Sequence, residues 1–171
     1  MPSGVAPEAE IGTEEMVGPT TLVLGYGNPG RQDDGLGPRL AAAVESWDLP
    51  RVRVDSTYQL QLEDVALLRD VARVVFLDAD VSQEEPWKLR RLAPEGGIDF
   101  TSHGLGPTRV LGIAADVLGA RPDAWLFTVR GYGFEPFMES LSVGAKDNFE
   151  IALPVLRDFL VGLDQPAVSG A

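Results

Sequence analysis

The sequence predicts an α/β domain, a three-layer sandwich in which a mostly parallel twisted sheet of about five strands is flanked by helices. Two observations predict it. Short apolar runs without polar alternation, Thr21 to Leu24 and Arg73 to Asp78, have the pattern of strands buried on both faces. Segments of helical periodicity follow such runs in turn, and that alternation is the signature of crossover connections between parallel strands.

The first strand, Thr21 to Leu24, ends in the glycine turn Gly25-Tyr26-Gly27 and the loop Asn28 to Gly35. Pro38 fits a first helical turn, because its missing N–H has no partner there, and predicts a helix to about Ser46. Arg51 to Asp55 is a second strand, and Leu60 to Leu68, with Leu60, Leu62, Val65, Leu67 and Leu68 apolar, a helix. The β-branched and aromatic run Arg73 to Asp78 is a third strand ending in a carboxylate. Trp87, Leu89 and Arg91 alternate as an edge strand would. Pro107 to Leu118 has helical spacing with Gly119 suited to its end, and Ala124 to Arg130 is another buried strand. Gly144 to Leu163 closes the chain as a long helix with Phe149, Leu153, Leu156, Leu160 and Leu163 on one face and a kink expected at Pro154.

Composition narrows the function. The chain has 171 residues, 44% hydrophobic and 23% charged, which suits one soluble domain, expected over 19–164. Residues 1–18 form a Pro/Gly/Glu-rich acidic leader expected to be disordered, and 165–171 are expected to be a flexible tail. There are no cysteines, so disulfides, thiolate metal sites and a cysteine nucleophile are excluded. A net charge of −12 argues against a nucleic-acid surface, and neither a signal peptide nor a membrane span is expected. A cytoplasmic monomer is the expectation.

Gly25, Gly27 and Gly30 also spell the G-x-G-x-x-G of a dinucleotide-binding oxidoreductase, with Asp55 roughly 25 residues on where a ribose-binding acid is expected. Charge and geometry oppose that reading. The motif needs its helix to open at the glycines, facing a pyrophosphate, whereas here Pro29 and the Asp33-Asp34-Gly35 run intervene.

Parallel strands bring their C-terminal ends to one edge, so Asp34 after the first strand and Asp78 at the end of the third can converge there. His103, the only histidine, lies in TSHGLGP ahead of the Pro107 helix. Two carboxylates and an imidazole suit a divalent ion with open positions, zinc or nickel rather than calcium. Each residue also has a plain structural role open to it. Asp33 and Asp34 are good turn formers, Asp78 a good N-cap, and His103 a loop hydrogen-bonding residue. Asp55 and Asp80 are expected to cap or solvate loops.

GYGNPGRQDDGLGPRL, VVFLDA, SHGLGP and GFEPFMESLSVGAKDNFEIALPVL occur in the order found in the hydrogenase maturation proteases, which the chain resembles from about Thr21 to Leu163. The resemblance implies an endopeptidase that trims the C-terminus of a NiFe-hydrogenase large-subunit precursor. It implies that Asp34, Asp78 and His103 are the metal-contacting and catalytic residues, and that nickel already in the precursor is what they recognise. Catalysis through a metal-polarised carbonyl and aspartic-type catalysis, with Asp34 or Asp78 as base, are both compatible. So is a nickel-dependent chaperone that binds the precursor without cutting it. Asp33 is assigned to loop hydrogen bonding. Where many members carry Gly-Gly-Thr after the second strand, this chain has Asp55-Ser56-Thr57-Tyr58-Gln59-Leu60, which resembles the branch serving soluble or bidirectional hydrogenases.

Overall fold

The computed structural model describes residues 20–96 and 105–164. The expected leader, the tail and His103 lie outside the described residues. Five strands form one sheet in the order β2-β1-β3-β5-β4. They are β1 (Thr21–Tyr26), β2 (Val52–Thr57), β3 (Arg73–Asp80), β4 (Trp87–Leu92) and β5 (Asp123–Arg130). Three helices, α1 (Leu36–Ser46), α2 (Pro107–Ile113) and α3 (Val143–Asp164), accompany them.

The sheet is mixed, which corrects the expectation of a mostly parallel one. β1 pairs in parallel with β2 and β3, and β3 with β5, but β4 runs antiparallel to β5. The link from Asp80 to Trp87 is too short for the crossover that a parallel return requires, so the chain doubles back. As expected of an edge strand, β4 ends the sheet.

Continuous apolar runs arise because both faces of the sheet are covered. Val23, Val75, Leu77, Phe127 and Val129 pack under Leu36, Leu40 and Val44 of α1 and Leu156 and Leu160 of α3. Leu22, Leu24, Val74, Phe76 and Leu126 face the other way, onto Val65, Leu68, Val110, Leu111 and Ala114. β1 therefore divides its side chains by parity.

Two helices differ from expectation. Leu60 to Leu68 is a 3-10 turn over Leu62–Leu68, entered through a capping box between Gln61 and Asp64. Its buried residues are Val65 and Leu68, a spacing of three that matches the 3-10 repeat and leaves Leu62 exposed. α2 stops at Ile113, and Ala114–Leu118 continues in the wider π geometry up to Gly119, whose φ of 65° ends it. α1 begins at Leu36, just ahead of Pro38, and α3 runs through Pro154 as one helix.

The packing of α1 on the sheet is backbone against backbone. A Cβ on Gly37 would run into the carbonyl oxygens of Tyr26 and Leu77, and one on Gly25 would meet the Gly37 carbonyl and lie 2.8 Å from the Ala41 Cβ. Only hydrogen fits at either position. Gly37→Ala is therefore expected to lower stability by about 3 kcal/mol, the upper part of the range for overpacking in a close-packed core. Urea denaturation checks this, and a midpoint equal to that of the wild type would contradict it.

Candidate active site

The strand order reverses at β1, so the segments leaving β1 and β3 part and leave a crevice beyond their C-terminal ends. Ligands of open α/β sheets bind at such switch points. Asp34 and Asp78 both lie here. Asp78 belongs to β3, and Asp34 to a 3-10 turn, Gln32–Gly35, between β1 and α1.

The tight turn sends the adjacent acids in different directions. Asp33 is fully buried, and its carboxylate accepts hydrogen bonds from the Tyr132, Gly133 and Ser142 N–H groups and from the Ser142 hydroxyl, at 2.6–2.9 Å. Burial alone would raise the Asp33 carboxyl, but these donors together hold it below its ordinary value. Asp33 is thus scaffold, as its assignment to loop hydrogen bonding expects. Asp34 is half-buried, and its Oδ2 accepts from the Asn28 N–H at 3.0 Å.

Asp78 has the opposite electrostatics. Burial, above all, pushes its carboxyl up to about 6, and the charges of Asp34 and Asp80 push the same way, against the Tyr26 hydroxyl and the Ala79 N–H. Asp34 and Asp78 are thus brought near enough to feel each other. Tyr26 follows Gly25, which pairs with Leu77, so Tyr26 and Asp78 are lateral neighbours on adjacent strands. Burial and the Asp78 charge raise the tyrosine pKa, which keeps the hydroxyl protonated as a donor.

His103 lies outside the described residues, and with it the third member of the expected set. Among the described residues, no group of three metal-ligating side chains is assembled. The chain is described again from Leu105, which packs on the same core as Tyr26. Asp55 lies on β2 and not in a loop, where it accepts from the Ser56 N–H, and Asp80 ends β3, where it accepts from Ser82.

The turn itself is closed to a phosphate. Gly27 has a φ of 137°, a Cβ there would strike the Asp34 carbonyl, and the Asn28 N–H is already taken by the Asp34 carboxylate. A second anion brought to that turn would face this carboxylate, which weighs against the dinucleotide reading.

No family model matches the sequence, and no curated protein does. Solved structures do. HycI, a NiFe hydrogenase maturation protease from Thermococcus kodakarensis, superposes with a TM-score of 0.66 at 21% identity, over 83% of this chain and 92% of that one. HybD, the hydrogenase maturating endopeptidase of E. coli, gives 0.63 at 23% identity over 84% and 93%. A hydrogenase 2 maturation peptidase from a Thaumarchaeota archaeon gives 0.59 at 23% over 83% and 98%. The chain has the hydrogenase maturation protease fold.

On that fold, the partner of Asp78 is a residue that the sequence motif alone did not single out. Tyr26 lies inside the glycine turn, and only the β1–β3 register makes it a neighbour of the acid. The parity of Leu22, Leu24 and Tyr26 on β1 is the signal that could have placed it on the face of Phe76 and Asp78. Ser142, which supplies two of the Asp33 donors, had no sequence signal, because it reaches the acid across 109 residues.

Two outcomes are expected. Asp33→Asn places an amide N–H₂ or a weaker acceptor against these donors and should cost about 3 kcal/mol in urea denaturation, as for a buried charged hydrogen bond left unmade; a loss under about 0.5 kcal/mol, the size of an ordinary surface substitution, would contradict this. For Asp78, the folded pKa lies above the unfolded value of about 3.9, so the native state binds the extra proton and metal-free stability falls as pH rises from about 4 to 6. Asp78→Asn should therefore raise the melting temperature more at pH 7.5 than at pH 4. An equal shift at both pH values would contradict the buried charge.

Proposed function

We propose that this protein is an endopeptidase that removes the C-terminal extension of a nickel-loaded NiFe-hydrogenase large-subunit precursor in the cytoplasm. The observation that carries the reading is the meeting of Asp34 and Asp78 at the switch point of a fold shared with hydrogenase maturation proteases. Nickel is here part of the substrate. Asp34, Asp78 and His103 contact it when the precursor docks, so cleavage follows metal loading.

The two described acids suit that role. Each engages one oxygen with a backbone N–H, Asp34 Oδ2 with Asn28 and Asp78 Oδ1 with Ala79, and the other oxygen of each carboxylate receives no backbone donor among the described residues. Their mutual repulsion is relieved by a cation placed between them. A bound ion polarises the scissile carbonyl or acidifies a water. In the aspartic-type alternative no ion is held there, and Asp78, its carboxyl at about 6, is mostly ionised at pH 7, so it accepts a proton from the attacking water and returns it to the leaving amine. Tyr26 holds the carboxylate in place meanwhile. The stretch Asp55 to Leu60, beside a pocket of about 300 Å³ lined by Pro29, Pro38, Ser56, Thr57 and Tyr58, selects a soluble or bidirectional hydrogenase precursor.

Mass spectrometry of the nickel-loaded precursor after incubation tests this. The wild type should shorten the precursor, while Asp34→Asn, melting near the wild-type temperature, should be slower by about 100-fold or more, as for loss of a group acting in the transition state. A precursor bound but never shortened would identify a nickel-dependent chaperone instead.

A further inference from the structure

The loop after β5 carries a side chain for which the fold has no use. Phe137 is 101% exposed, so its ring gains nothing from burial in its own chain. Its φ of 61° lies in the left-handed region, a strained conformation for a bulky aromatic residue. Yet the loop does not leave Phe137 free to relax. The Met138 N–H donates to the Gly30 carbonyl at 3.2 Å and the Met138 carbonyl accepts from the Gln32 N–H at 2.6 Å, forming a parallel bridge between Arg31 and Met138. Arg39 donates to the Glu139 carbonyl on the other side. The strained aromatic residue is therefore fastened to the same turn that presents Asp34.

We infer that Phe137 is a docking knob for the protein substrate of the Asp34–Asp78 site, filling an apolar socket on the precursor. This inference rests on the proposed protease reading and adds the surface by which the substrate is held. The chemistry of the surroundings sets the partner's character. Tyr132, Met138 and Val143 of the same segment are exposed apolar side chains, and the exposed charges beside them are of both signs, Glu135 and Glu139 with Arg31 and Arg39. An aromatic anchor within a charged rim is the arrangement of an interface hot spot, in which one desolvated ring supplies much of the affinity. Placing the anchor on the acid turn couples docking to chemistry, since a partner seated on Phe137 is registered against Asp34 through the Met138 bridge.

The test compares wild type with Phe137→Ala on the nickel-loaded large-subunit precursor of the source organism, by biolayer interferometry and by cleavage. Phe137→Ala should weaken binding at least about tenfold, in line with truncation of a hot-spot aromatic, and lower kcat/KM by the same factor. Phe137→Gly relieves the strained φ, so its melting temperature should hold or rise; a clear fall would show that the ring serves the fold and overturn the inference. Equal binding by wild type and Phe137→Ala would overturn it whether or not the precursor is cut. Binding that is lost in Phe137→Ala, without cleavage by the wild type, would keep the knob and reject the protease. A precursor neither bound nor cut would reject both. Concentration-dependent dimers abolished by Phe137→Ala in sedimentation would assign the knob to a second copy of this chain and overturn its assignment to substrate.

Discussion

Asp33 is buried, charged and surrounded by four donors drawn from residues 99 to 109 positions away in the chain. A buried carboxylate without partners would cost far more than a domain's net stability allows, so the ion and its donors exist only together. The turn Gln32–Gly35 cannot take its conformation unless the segment from Tyr132 to Ser142 is in place, and that segment has no regular structure of its own to hold it. The two halves of the site are folded by each other. This long-range contact also fixes the direction of Asp34, because rotating the turn to re-aim Asp34 would pull Asp33 away from its donors.

Asp33 and Asp78 thus divide the work by environment. Asp33 receives four donors and is held below the usual carboxylate range, a stabilising state. Asp78 receives one hydroxyl and one amide, against burial and the negative charges nearby, and is pushed up to about 6. One carboxylate contributes to stability at neutral pH, and the other costs stability there. Residues that lower stability where a cation or a transferred proton would relieve them are what a functional site contains, and the remainder of the fold compensates. Asp78 lies on β3, the middle strand of the sheet, and Asp34 on a locked turn, so neither needs to move to meet its substrate.

Much of this was legible in the sequence, and the parts that were not share a cause. The β1 and β3 runs announced strands buried on both faces, and alternation with helices announced the α/β layers, because those signals are local. The direction of β4 was missed even though the short link from Asp80 to Trp87 contained it; periodicity reports that a strand exists but not which way it runs. Leu62–Leu68 was misjudged because short apolar segments satisfy both 3.6-residue and three-residue repeats. The convergence of Asp34 and Asp78 followed from the rule that parallel strands share an edge. The donors to Asp33 did not follow from any rule of that kind. They are contacts across about a hundred residues, set by tertiary packing of a loop whose backbone pattern carries no periodicity.

The same network explains how a strained aromatic residue persists. A φ near 61° at Phe137 and 53° at Gln32 places two non-glycine residues of facing segments in the left-handed region, each a cost of order 1–3 kcal/mol. Relaxing either would break the Arg31–Met138 bridge, and moving that bridge would disturb the turn that buries Asp33. The hydrogen bonds to Asp33 thus over-determine both conformations, and strain that no local contact could hold is carried by a buried ion next to it in the chain. Rigidity around this turn comes from polar satisfaction beside the apolar packing of Leu36 and Leu141. On the opposite side of the turn, the Gly25–Gly37 contact supplies rigidity by close backbone approach. Asp34 lies between these two constraints, and its position is fixed by both.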